Sequence, residues 1–104
     1  MTFQDYLATM PRVENLSGLN VLNAAGDVIH HIPAIAGKLG SLRLYNALAE
    51  HFAQQLHPQA ARQGLIWFAE HVADAERNPG KHPNIDLLFR VLQTQQTLQL
   101  QPLR

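Results

Sequence analysis

The sequence has no cysteine among its 104 residues. This absence excludes disulfides, zinc sites built on thiolates and thiol nucleophiles. The chain also has no excess of charge, since eight basic residues balance eight acidic ones. A basic surface is the usual source of attraction to nucleic acid and to anionic lipid, so we expect neither nucleic acid nor a membrane as a partner.

Long apolar runs are missing as well. No stretch approaches the roughly 20 apolar residues that span a bilayer, and the N-terminus lacks the basic start and apolar segment of a signal peptide. We therefore expect a cytoplasmic protein. Its length and its 46% hydrophobic composition predict a single folded domain over residues 1–104.

Hydrophobic periodicity is present along most of the chain, and it changes twice. A short N-terminal helix is predicted over 2–10 with Thr2 as its N-cap, and apolar runs at 18–24 and 27–32 predict a β-hairpin around Gly26. Spacings of three and four then predict three antiparallel helices at 41–56, 59–77 and 83–95, the first capped by Ser41. These elements together predict an α+β fold.

The C-terminal segment is rich in glutamine and alternates polar with apolar residues from Thr97 to Gln101. Such alternation is typical of a half-buried strand, so residues 97–101 are predicted to add a third strand to the hairpin. The alternatives are a frayed continuation of the last helix or a tail.

Two loops of similar composition, "AGKLGS" and "NPGKHPNID", each precede a predicted helix. Antiparallel helices would bring these loops to one end of the domain, where helix N-termini and lysines favour an anion. The hypothetical ligand-binding residues are Lys38, Ser41, His71, Lys81 and His82. The alternative is that the glycines and prolines only end and begin helices, because "GKLGS" lacks the adjacent Lys-Ser/Thr pair of a nucleotide-binding loop.

Metal and acid–base chemistry are weaker alternatives. His71 and Asp74 lie three apart on one helix and could be joined by His82 or His30, but there is no HExxH motif and a local His71–Asp74 contact is an equally good interpretation. No metal site is predicted. Glu70, His71 and His82 are candidates for acid–base work, yet spacing alone identifies no catalytic residue, so enzymatic activity stays open and no cofactor is implied.

Interaction with another protein is the other class of function. The predicted small sheet has an open edge that can accept a strand from another chain. The leading prediction is therefore a non-enzymatic binding or interaction module that self-associates as a homo-oligomer. The alternative is a protein or enzyme that binds a small anionic ligand where the two Gly-Lys loops meet.

Two longer runs, "GKLGSLRLYNALA" and "GLIWFAEHVADAERNPGKHPNIDLL", carry a resemblance to a known family. They resemble a group of small bacterial proteins catalogued as domain of unknown function 2322, and the likeness extends from about Val13 to Leu92. The resemblance implies a bacterial cytosolic protein of about this size. It implies no activity, cofactor or site residue.

Overall fold

The apolar positions of the chain form one core of 24 buried side chains in the computed structural model, which describes residues 1–104. Five helices and four strands surround this core, and the predicted α+β fold is confirmed. None of the helices is both long and apolar enough to cross a lipid bilayer. In chain order the elements are α1 (Phe3–Leu7), β1 (Gly18–Leu22), β2 (Val28–Pro33), α2 (Leu39–His51), β3 (Gln55–Leu56), α3 (Pro58–Phe68), α4 (His71–Arg77), α5 (Pro83–Thr94) and β4 (Leu98–Leu103).

The N-terminal helix α1 begins at the predicted cap, Thr2. Its hydroxyl accepts the Asp5 N–H at 3.2 Å, and the Asp5 carboxylate accepts the Thr2 N–H at 2.9 Å, which is a capping box. The helix is shorter than the predicted 2–10. The chain tightens into i→i+3 turns at Thr9 and Met10 because Pro11 disfavours helical backbone at the residue before it.

The predicted hairpin is confirmed, with β1 and β2 antiparallel. Strand β1 ends two residues earlier than predicted, and β2 is shifted by one residue toward the C-terminus. Asn23 organises the turn, since its side-chain oxygen accepts the N–H groups of Ala25 and Asp27 at 3.0 and 2.9 Å. Gly26 adopts a φ of 86°, the positive value for which a glycine was expected there.

The C-terminal segment is a strand, so the alternatives of a frayed helix and a tail are wrong. Strand β4 pairs with β1 from Gly18↔Leu103 to Leu22↔Gln99, and the sheet order is β2-β1-β4-β3. Leu98 and Leu100 are buried while Gln99 is exposed, as the alternation predicted. The two-residue strand β3 was not predicted.

The first long helix differs from the predicted 41–56 at both ends. It starts at Leu39 with Lys38 as its N-cap, so the prediction of Ser41 as N-cap is wrong. It stops at His51 because Ala53 and Gln54 adopt left-handed backbone, with φ of 52° and 65°. This turn redirects the chain into β3.

The helix predicted over 59–77 is two helices, α3 and α4, so that prediction is wrong as a continuous element. The break lies at Ala69, whose φ of 52° and ψ of −118° are incompatible with a helix. Helix α5, by contrast, begins at Pro83 with His82 as its N-cap, close to the predicted 83–95. The break turns the chain so that His71, the first residue of α4, lies near the start of α5.

Candidate functional site

The starts of α2 and α5 both contribute to the lining of a cavity of about 270 Å³. The structure brings all five hypothetical ligand-binding residues into the lining of this one cavity. The lining contains two lysines, two histidines, a serine and an asparagine, and no aspartate or glutamate. Its residues are Phe3, Gly37, Lys38, Ser41, Phe68, His71, Lys81, His82, Pro83, Asn84 and Ile85.

The α2 side of the cavity presents donors that have no partner in the protein. Leu42 makes the first helical hydrogen bond, to the Lys38 carbonyl, so the N–H groups of Leu39, Gly40 and Ser41 have no partner within the helix. Of these three residues only Ser41 lines this cavity, whereas Leu39 and Gly40 line a second cavity. Lys38 takes part in no ion pair. Lys38 and the Ser41 N–H therefore give this side of the cavity donors that a small anion can contact.

The α5 side is organised by Asp74, which belongs to α4. One carboxylate oxygen, Oδ2, lies 2.6 Å from His82 Nε2 and 3.0 Å from Lys81 Nζ, while Oδ1 accepts from Asn78 Nδ2 at 3.0 Å. Asp74 does not itself line the cavity. Asp74 therefore orients His82 and Lys81 without itself being part of the cavity lining. The local contact expected between His71 and Asp74 is replaced by the contact between His82 and Asp74.

These donors stabilise the ionised carboxylate. The hydrogen bond from His82, followed by that from Lys81, lowers the pKa of Asp74 from 3.8 to about 2. Asp74 is therefore negatively charged at neutral pH. Its charge offsets part of that of Lys81, whereas Lys38 has no carboxylate partner.

Aromatic side chains from three elements close the remaining side of the cavity. Phe3 stacks on Phe68, with ring centroids 5.5 Å apart, and meets the edge of His71 at 5.0 Å. Glu70 holds Phe3 in place, because its Oε1 accepts the Phe3 N–H at 2.8 Å, and this bond lowers the pKa of Glu70. Glu70 is thus committed to the N-terminus of α1 and does not line the cavity.

Asn84 is a lining residue that sequence reasoning missed. It is only 9% exposed, its Oδ1 lies 2.6 Å from His30 Nε2, and its backbone carbonyl accepts a hydrogen bond from the hydroxyl of Tyr45. Burial raises the pKa of Tyr45, so that hydroxyl stays protonated and donates. A polar residue one place after a helix-opening proline carries no local sign of such burial.

The residues of the metal hypothesis lie in the following contacts. His30 contacts Asn84, whereas His82 contacts Asp74 and its ring centroid lies 6.1 Å from that of His71. No group of three or more His, Asp or Glu side chains in the structure is arranged to hold a metal ion.

A second, larger cavity of about 520 Å³ lies beside α1 and the start of α2. Its two arginines already have partners. Arg12 pairs with Glu14 at 3.1 Å, and Arg43 donates to the carbonyls of Met10 and Pro11 at 2.6 to 3.2 Å. Because both arginines already bind groups of the loop between α1 and β1, this cavity is the weaker candidate for an anion site.

Comparison with family models matches residues 3–102 to a family described as "Uncharacterized protein conserved in bacteria (DUF2322)". No curated protein and no solved structure matches the chain. The match spans almost the whole chain and extends beyond the segments that carried the resemblance.

Proposed function

The chain belongs to the DUF2322 family of uncharacterised bacterial proteins, and we propose that it binds a small anionic ligand between its two Gly-Lys loops. One observation carries this proposal: the cavity collects Lys38, Lys81, His71 and His82 and has no carboxylate in its lining, although the whole chain has no net charge. A concave site with a few converging polar groups is the usual form of a ligand site.

The size of the cavity limits the ligand. At about 270 Å³ it lies below the roughly 300–1,000 Å³ that is typical of sites for drug-sized molecules. We propose a phosphate or a short carboxylate rather than a nucleotide. Lys38 binds the charge, and Ser41 adds its N–H and its hydroxyl.

Thermal unfolding in the presence of anions tests the proposal. A ligand at ten times its Kd stabilises the folded state by about 1.4 kcal/mol, which raises Tm by several degrees in a domain of this size. We expect phosphate, acetate or citrate to produce such a shift at constant ionic strength. Lys38→Gln should remove most of it.

Arg62→Gln is the matched control, because it deletes one positive charge at an exposed residue of α3 outside the cavity. This variant should keep the full shift. If no anion shifts Tm, or if Lys38→Gln responds like the wild type, the ligand site is refuted.

Self-association is a second candidate function, favoured by the β2 edge of the sheet. Strand β2 has no neighbour on one side, carries no Lys, Asp or Glu, and leaves Val28 and Ile29 exposed by 54% and 42%. Edge strands of monomers usually carry charges that prevent pairing. The strand that this edge would accept is the same strand of a second copy of the chain.

A further inference from the structure

The hydrogen bond between Asp74 and His82 determines which nitrogen of the imidazole carries the proton. An ionised carboxylate only accepts hydrogen bonds, and Asp74 Oδ2 lies 2.6 Å from His82 Nε2. Nε2 must therefore carry the hydrogen. In the neutral ring the other nitrogen, Nδ1, is then an acceptor with a free lone pair.

Nδ1 of His82 is the ring nitrogen that remains for the cavity. It takes part in no hydrogen bond within the protein, and His82 lines the cavity whereas Asp74 does not. Two other lining side chains offer donors: Lys38 has only N–H groups, and Asn84 has its Oδ1 occupied by His30. The site thus combines the donors of Lys38 and Asn84 with an acceptor, His82 Nδ1, whose tautomer is fixed by Asp74.

We infer that His82 makes the site selective for oxyanions that carry an O–H group. Such a ligand places its charged oxygens against Lys38 and Ser41 and donates its hydrogen to His82 Nδ1. An anion of similar size without that hydrogen would place an oxygen lone pair against the lone pair of Nδ1, and two acceptors in contact repel each other. Sites that bind a ligand hydroxyl by a hydrogen bond reject analogues that lack it.

This inference rests on the proposed function and narrows the ligand to two chemical sources. Hydrogen phosphate is one, and it differs from sulfate, a tetrahedral dianion of similar size, by a single proton. A hydroxycarboxylate is the other, and glycolate differs from acetate by one hydroxyl. A preference for phosphate over sulfate would identify a phosphate site, and a preference for glycolate over acetate would identify a hydroxycarboxylate site.

Calorimetric titration at pH 8.5, about two units above the pKa of free histidine, tests the inference. We expect the wild-type protein to bind phosphate at least roughly tenfold more tightly than sulfate, or glycolate more tightly than acetate by a similar factor. His82→Phe keeps a planar ring but has no acceptor, and should reduce the ratio to within about twofold. His51→Phe, the same change near the opposite end of α2, should leave the ratio unchanged.

Each outcome supports or overturns the inference. Equal binding within both ligand pairs overturns it, and so does a His82→Phe protein that keeps the preference. In either case the proposed anion site stands if Lys38→Gln still weakens both members of a pair. If none of the four anions binds, the proposed function and the inference fall together.

The protonation of the two His82 ring nitrogens can also be measured in the wild-type protein, so this test does not require that a variant folds. Long-range ¹H–¹⁵N correlation at pH 8.5 distinguishes a protonated ring nitrogen from an unprotonated one. We expect His82 to show a protonated Nε2 and an unprotonated Nδ1. The reverse pattern overturns the inference, whatever the titrations show.

Discussion

At the scale of single residues, Asp74 connects the helix α4 to the start of α5 through three donors on its two oxygens. His82 and Lys81 contact Oδ2, and Asn78 contacts Oδ1. The side chain of Asp74 is 30% exposed, so the charge is partly screened by water. Its role is to orient His82 and Lys81 as well as to stabilise the fold.

The lowered pKa of Asp74 makes a prediction about stability and pH. A carboxyl whose pKa is lower in the folded protein than in the unfolded chain adds stability above its unfolded pKa, and this contribution is lost as pH falls through the folded pKa. For Asp74 the loss should occur between about pH 4 and about pH 2.

We therefore expect Asp74→Asn to be less stable than the wild type at pH 6, with a difference that shrinks as pH falls toward 2. Urea denaturation of both proteins at a series of pH values measures this difference in the free energy of unfolding. Asp27→Asn, at the exposed hairpin turn, is the control and should show a much smaller difference. A constant difference from pH 6 to pH 2 would contradict the ionic role of Asp74.

Local sequence signals predicted the polar residues that line the cavity but not their contacts. The glycines, prolines and lysines of the two loops are visible in the sequence, so Lys38, Ser41, Lys81 and His82 were identified. The Asp74–His82 contact joins residues eight apart across a loop, and no helical spacing predicts it. Spacing favoured His71, three residues away from Asp74, instead.

At the scale of secondary-structure elements, the helix break at Ala69 determines the position of α4, which contributes His71 to the lining of the cavity. The apolar stripe continues in phase across it through Leu65, Phe68 and Val72, with no glycine or proline, so periodicity predicted one helix. Tertiary contacts override that local preference. Phe68 and His71, on the two sides of the break, both contact Phe3.

The backbone of Ala69 makes a prediction about strain. A positive φ in a residue with a Cβ costs of order 1–3 kcal/mol, whereas glycine loses about 0.4–1 kcal/mol more in backbone entropy on folding. We expect Ala69→Gly to raise the free energy of unfolding by about 1 kcal/mol, as measured by urea denaturation.

Ala73→Gly provides the matched control, because Ala73 is an exposed residue within α4. Glycine inside a helix costs about 1 kcal/mol, so this variant should be less stable than the wild type. Equal destabilisation by both substitutions would show that Ala69 is not strained.

Elements whose signals are local were predicted best. The hairpin turn, the opening of α5 at Pro83 and the alternation of β4 each depend on a few neighbouring residues, and each is present in the structure. The end of α2 at His51 depends on two non-glycine residues with positive φ, which residue type does not predict.

At the scale of the whole molecule, the two edges of the sheet differ. One edge is β3, which has only two residues, and the other is β2, which has six. The outer face between them is polar, since His31, Asn20 and Gln101 are joined by hydrogen bonds across β2, β1 and β4. Any pairing with a second copy is therefore expected at the β2 edge.

Sedimentation at high protein concentration tests self-association. We expect a concentration-dependent dimer, and Ile29→Lys should dissociate it because a lysine on an edge strand opposes pairing. Ile66→Lys, at a residue of α3 that is 56% exposed, is the control and should still dimerise. A wild-type protein that is monomeric at roughly millimolar concentration excludes this candidate, and leaves the ligand site unaffected.

The central place of β4 in the sheet also has a consequence during translation. Strand β1 is made 76 residues before β4, an interval of roughly 4–15 s at about 5–20 residues per second. Until β4 is synthesised, β1 and β2 form an isolated two-stranded ribbon, which is marginally stable in water. The inner edge of β1 therefore stays unpaired throughout that interval of synthesis.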